Sequence, residues 1–165
     1  LSDRITKMGK NIKIISICTL LLLLGSCGFK KINSENARKI NIQNIDITGD
    51  RKIIYYLRND ILLISNEQSK NRYTIKIETR KERDNKIKNQ AGRVTRYSLT
   101  IYANLNLKNI ENNKIIKKTF VKSGDYNVSK THSETINNES AMIKNITQQL
   151  SEVIINYINL NTKNL

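Results

Sequence analysis

Few side chains in this sequence could carry nucleophilic or metal chemistry: His132, its one histidine, and two cysteines, Cys18 and Cys27. His132 stands close to Ser129, Ser133 and Glu134, types that could activate a hydroxyl if an imidazole were held in place by a carboxylate. A hydroxyl-rich polar stretch yields such neighbours by chance, and nothing in the spacing orients the ring. A bound metal wants three or four converging nitrogen, sulfur or carboxylate ligands, and one histidine with two distant cysteines falls short. There is no glycine-rich phosphate loop and no zinc-finger spacing. The chain therefore reads as a protein without catalytic or metal chemistry, whose reactive residue of interest is Cys27.

Cys27 closes the stretch Leu24-Gly25-Ser26-Cys27, behind an apolar or small-residue run of 11 residues from Ile14 to Leu24 and the basic residues Lys7, Lys10 and Lys13. That combination has the charge and length of a signal peptide and falls short of the roughly 20 residues a spanning helix needs. Leu24-Gly25-Ser26-Cys27 resembles a bacterial lipobox, in which small residues let the peptidase bind an extended segment beside the thiol. The expectation is a signal over 1–26 that is cleaved, with Cys27 becoming an N-terminus that carries N-acyl and diacylglyceryl lipid and no other cofactor. Cys18 leaves with the signal, so no disulfide partner remains. Met8 opens a conventional signal, so Leu1 to Lys7 read as sequence upstream of the start. Gly28 in place of Asp favours the outer membrane, facing the periplasm.

The formal charge of +15 falls to about +12 once Asp3, Arg4, Lys7, Lys10 and Lys13 are removed. Such a balance favours an anionic partner. Nucleic acid is disfavoured, because the chain offers charge without a recognition helix or an aromatic stacking platform. Lys, Asn and Ile abound and Pro is absent, as an A+T-rich genome would produce, and this discounts part of the basic excess.

These residues must be positioned by one domain over 40–165, behind a tether over 27–39. Ile40, Ile42, Ile45 and Ile47 predict a strand with one slip in phase, and Asp50 a helix cap before Ile53, Ile54, Leu57, Ile61 and Leu62 at helical spacing. Tyr73, Ile75 and Ile77 alternate with polar residues, and Arg80 to Lys88 reads as the extended tip of a hairpin closing near Ala91-Gly92. Tyr97 to Leu107 predicts a long strand. After Glu111-Asn112-Asn113 comes another, interrupted at Gly124-Asp125; Ile115, Lys117, Thr119 and Val121 share one parity and Ile116, Lys118, Phe120 and Lys122 the other, which leaves the covered face ambiguous, with Ile116 and Phe120 the preferred side. A last helix is expected after a polar loop over 129–138, capped by Asn137 or Asn138, with Met142, Ile146, Leu150, Val153, Tyr157 and Leu160 as its apolar stripe, widened by Ile143, Ile154 and Ile158. The simplest arrangement is an α+β fold with two amphipathic helices packed on one face of a four-stranded, mostly antiparallel sheet.

Three segments carry a resemblance over nearly the whole length. They are Cys27-Gly28-Phe29-Lys30, the segment NQAGRVTRYSL from Asn89 to Leu99, and DYNVSKTHSETINNESAMIKNITQQLSEVIINYI from Asp125 to Ile158. Together they resemble the lipopolysaccharide-assembly lipoprotein family, LptE, in an alphaproteobacterial form. The resemblance implies a small non-enzymatic lipoprotein that plugs the lumen of a large outer-membrane β-barrel, LptD, helps it fold, and guides lipopolysaccharide into the outer leaflet. A generic periplasm-facing lipoprotein with an envelope-integrity or anionic-ligand role is the alternative.

A glycolipid bearing phosphates and acidic sugars is met by Lys or Arg at rigid strand ends, and by Arg bidentately. Arg93 falls where the family has its Gly-Arg, Arg96 follows three residues on, and Lys130 resembles another basic contact. Lys117, Lys118 and Lys122 extend the candidate patch along a neighbouring strand. Each could equally be an ordinary solvated residue. Tyr55, Tyr56 and Tyr102 are candidate interface anchors, since Tyr suits half-wet contacts.

Overall fold

The computed structural model describes residues 40–162. The signal over 1–26, the lipidation site Cys27, the tether up to residue 39 and residues 163–165 lie outside the described residues. The elements run β1 (Asn41–Thr48), α1 (Arg51–Leu62), β2 (Arg72–Lys88), β3 (Val94–Asn109), β4 (Ile115–Asn127) and α2 (His132–Asn161). The sheet order is β1-β2-β3-β4, with β1 parallel to β2 and the other two pairings antiparallel. A parallel pair needs a crossover connection, which α1 supplies. Both helices pack on one sheet face, as the apolar periodicity requires.

Local chemistry explains the boundaries. The phase slip between Ile42 and Ile45 is a bulge in the β1 ladder, between Ile42 and Asn44; the extra residue returns Ile45 and Ile47 to the covered face. Asp50 caps α1, its Oδ1 accepting from Lys52 N at 2.9 Å. Gly49 turns the chain from β1 into α1 at φ +129°, where a Cβ would stand 2.6 Å from the Thr79 carbonyl oxygen. Only glycine suits that conformation and that approach.

The core lies between the helices and one sheet face. Ile45 and Ile47 of β1, Tyr73, Ile75 and Ile77 of β2, Leu99 through Leu107 at alternate positions of β3, and Phe120 and Tyr126 of β4 meet Ile53, Leu57 and Ile61 of α1. From α2 come Ile143, Ile146, Leu150, Ile154 and Ile158. Burying each such aliphatic side chain contributes about 1.5–3 kcal/mol. Phe120 is buried and Ile116 half-buried beside the core, so the covered side of β4 is the expected one.

Three expectations are corrected. Gly124-Asp125 does not interrupt β4, which runs on to Asn127. Gly124 lies opposite Leu99 on the covered face, and a Cβ there would stand 2.5 Å from Met142 Sδ and 3.4 Å from Ile146; the glycine admits the helix and leaves the strand unbroken. Secondly, α2 starts at His132, capped by Thr131, whose Oγ1 accepts from Glu134 N at 3.2 Å; Asn137 and Asn138 are inside the helix. Its first turns are polar because they are largely exposed, so no apolar period announced them. Asn138 instead ties the helix to the end of β4, donating from Nδ2 to Asn127 O at 3.0 Å. Finally, the covered stripe of α2 keeps most of the expected residues, Ile143, Ile146, Leu150, Ile154 and Ile158 among them, but not Val153 and Leu160. Val153 and Leu160 are 37% and 63% exposed, whereas Thr147 and Ser151 are buried. Their hydroxyls donate to the carbonyls of Ile143 at 2.7 Å and Thr147 at 2.9 Å, which satisfies them within the helix.

Candidate functional site

Among the described residues no helix lies on the second face of the sheet. Alternation puts Lys76, Glu78, Arg80 and Glu82 of β2 on it, opposite Asn106, Asn104, Tyr102 and Thr100 of β3, with Lys117, Thr119, Val121 and Ser123 of β4 beyond. Its charges are largely matched. Lys76 pairs with Glu78 at 3.2 Å, Arg80 with Glu82, and Lys86 with Asp125 of β4. Tyr102 lies under the Arg80 guanidinium, 4.4 Å from its ring centroid, a cation–π contact that holds both side chains flat on the face. Between Lys76, Asn104, Asn106, Lys117 and Thr119 the face forms a shallow hollow of about 340 Å³.

The candidate basic residues divide between the two ends of this sheet. Arg93 closes the β2–β3 turn, its backbone N–H donating to Asn89 Oδ1 at 3.0 Å. Arg96 stands in β3 opposite Asn127, and its Nε donates to Asn127 Oδ1 at 2.9 Å. Lys130 follows directly on the bond from Val128 N to Thr95 O at 2.9 Å. These three therefore gather at the hairpin end, where β2, β3, β4 and the start of α2 meet. Lys117 and Lys118 lie opposite Asn106 and Leu105, about ten residues along β3 from Arg96, which is roughly 30 Å at strand rise. Lys118 and Lys122 share the helix-covered side with Leu105 and Ile101, while Lys117 is on the open side. The three β4 lysines therefore do not continue the Arg93–Arg96–Lys130 cluster.

A second constellation was not expected from the sequence. On the helix side of the β2–β3 hairpin, Lys81 Nζ lies 3.0 Å from Asp50 Oδ2 and 3.6 Å from Glu139 Oε1. Arg83 pairs with Glu139 Oε2 at 3.4 Å, sits 4.8 Å from the Tyr97 ring centroid, and shares Glu139 with the Tyr126 hydroxyl, which donates at 3.0 Å. Burial would raise the Asp50 pKa, but the bonds from Lys81 and from Lys52 N outweigh it and hold the carboxyl below its usual range. Burial likewise pushes Tyr126 up, and the Glu139 carboxylate adds to this against the opposing Arg83. The run from Arg80 to Lys88 is thus not the tip expected but the second half of β2, paired along β3, with one face fastened to both helix starts. A signal was present: continuing the alternation from Ile75 and Ile77 places Lys81 and Arg83 toward the helices, where cations require acidic partners.

Among the described residues no group of three or more His, Cys, Asp or Glu side chains is placed to hold a metal ion. His132 stands exposed in the first turn of α2. Tyr55 is exposed on α1 with its ring 5.4 Å from that of the half-buried Tyr56.

The architecture, two helices on one face of a mixed four-stranded sheet with the other face open, is a fold found in bacterial lipoproteins. Among solved structures the chain is similar to a candidate lipoprotein from Caulobacter crescentus, with 14% identity, a TM-score of 0.57, and coverage of 77% of this chain and 92% of that one. It is also similar to rare lipoprotein B from Shewanella oneidensis, with 12% identity, a TM-score of 0.58, and coverage of 73% and 97%. A protein from Xanthomonas campestris matches at 11% identity and a TM-score of 0.50, over 76% and 88%. At such identities the likeness is one of fold. No protein-family model and no curated protein matches the sequence.

Proposed function

We propose that this chain is a non-enzymatic lipoprotein of the outer membrane, anchored through Cys27, that serves as plug and assembly partner of the LptD barrel in lipopolysaccharide transport. The observation that carries the reading is the gathering of Arg93, Arg96 and Lys130 at the hairpin end of a sheet whose other face is open and polar. Phosphates and acidic sugars would be met there by three cations, two of them guanidinium groups able to bind bidentately, with Arg96 held in place by Asn127. The open face, with its charges already matched, suits a wet protein wall better than a lipid tail. Fold likeness to bacterial lipoproteins supports the anchor and goes no further. That likeness favours a second reading, a periplasm-facing lipoprotein that binds an anionic envelope ligand without a barrel, more than the first.

Affinity purification of the tagged full-length protein from detergent-solubilised envelope separates the two. A roughly stoichiometric outer-membrane barrel is the expected companion; arrival alone would leave the second reading. In either case Arg93→Ala with Arg96→Ala should weaken binding of purified lipopolysaccharide by about tenfold or more, the loss of one charge-assisted hydrogen bond or so. Lys117→Ala with Lys118→Ala, at the far end, should leave it within about twofold.

A further inference from the structure

The outward side of α1 is not the polar surface that a solvent-facing helix usually presents. Tyr55, Leu62 and the C-capping Leu63 are 63%, 43% and 68% exposed. At about 100° per residue, Arg51, Leu62, Tyr55, Asn59, Lys52 and Leu63 fall within an arc of about 120°. No acidic residue shares that arc: Asp60 lies outside it and Asp50 is engaged by Lys81. We infer that this face of α1 rests on an anionic phospholipid surface, with Leu62, Leu63 and Tyr55 entering the headgroup boundary and Arg51 meeting lipid phosphate; Lys52, toward the edge of the arc, instead donates from Nζ to Ser140 Oγ of α2 at 2.7 Å.

Two further observations select a membrane as the occupant. At 12 residues α1 is too short to span, and no described helix is long and apolar enough to do so; apolar, Tyr and basic residues on one face are the composition of a helix lying in the interface. The chain also enters the domain beside the leucine end of α1. Ile40 O accepts from Asn66 N at 2.8 Å and Asn41 Nδ2 donates to Glu67 O at 2.8 Å, both in the loop that leaves Leu62 and Leu63. Residues 28–39 separate this point from Cys27, a reach of at most roughly 40 Å. The inference rests on the anchored reading of Cys27, because the tether is what keeps a face this small near lipid.

The chain holds no tryptophan, so Tyr55→Trp creates a single depth probe and Val121→Trp, on the open sheet face, a control. Each full-length, acylated variant is reconstituted into phosphatidylglycerol-containing vesicles with brominated acyl chains. The residue at 55 should be blue-shifted and quenched while the one at 121 is not. Adding Arg51→Gln should lower the ratio of docked to undocked chain about fivefold, one basic residue's worth, and Leu62→Ser with Leu63→Ser should abolish the quenching. Equal quenching at 55 and 121, or quenching at 55 indifferent to the leucine changes, overturns the inference. Chain that floats with the vesicles but leaves position 55 unquenched sinks it alone, whereas chain that does not float sinks the anchored reading with it. Shielding of position 55 only in the presence of a co-purified barrel would assign the face to a protein wall instead.

Discussion

Gly49 and Asp50 show how much one position can control. Gly49 links β1 to α1 at a positive φ with Thr79 against it, and Thr79 Oγ1 donates to Thr48 O at 2.8 Å across the same junction. Gly49→Ala should destabilise by about 1–3 kcal/mol through backbone strain and displacement of Thr79, read as a lower urea midpoint at unchanged slope. Asp50 does two jobs, capping α1 and holding Lys81. Its carboxyl pKa is depressed in the fold, so its ionic contribution is complete above the unfolded value of about 4 and is lost as the pH falls through the lower, folded value. Asn is also a good cap, so Asp50→Asn removes the charge and keeps the cap. The variant should lose part of the fall in stability below about pH 4 that the natural chain shows in acid denaturation. A curve of unchanged shape would mean that Lys81 gains nothing from Asp50.

The helix α2 is where periodicity misled most. Its apolar residues spread over more than half the circumference, because Met142, Val153 and Leu160 flank the buried set, and a pattern so wide does not choose its own centre. The choice is made by Gly124, which lets α2 approach β4 at Met142 and Ile146, and by Thr147 and Ser151, whose hydroxyls are satisfied within the helix and can be buried. Ile154→Ala should accordingly cost about 2–5 kcal/mol, the cost of a core cavity, while Val153→Ala should cost under about 1 kcal/mol. Equal losses in thermal or urea unfolding would place Val153 in the core beside Ile154. At the other end, Thr131→Ala should cost about 1 kcal/mol as a lost cap; no loss there, with a loss on changing Asn138, would move the helix start back to where the sequence suggested it.

Across the molecule, the hairpin arm of β2 and β3 joins the parts. Lys81 and Arg83 draw the starts of α1 and α2 together through Asp50 and Glu139, and Arg80 and Glu82 dress the opposite face. Removing Glu139 leaves two cations and the Tyr126 hydroxyl short of their common acceptor. Glu139→Ala should therefore loosen the whole hairpin end, visible as faster amide exchange in α2's first turns and in β3 near Tyr97. Exchange confined to α2 would show that the cluster holds only its own helix.

Much of this was written in local pattern. Alternation over Tyr73 to Ile77 and Tyr97 to Leu107, the slip between Ile42 and Ile45, and Asp50 before the α1 stripe each depend on neighbours a few residues away, which is the distance over which strand and helix periods operate. The succession of strands and helices along the chain followed from that, whereas both parities of β4 carry apolar residues and only the register with β3 decides its covered side. The start of α2, the exposure of its Val153 and Leu160, the unbroken course of β4 through Gly124 and the acidic partners of Lys81 and Arg83 did not follow, because each depends on side chains many residues distant. The division of the basic residues belongs with them. Arg93, Arg96 and Lys130 become neighbours because β4 returns beside β3 to Asn127, and that same antiparallel register carries Lys117 and Lys118 to the far end of the sheet. Charge along a chain says that an anion is wanted; which cations can meet one anion together is set by the hydrogen-bond ladder that brings distant strands into register.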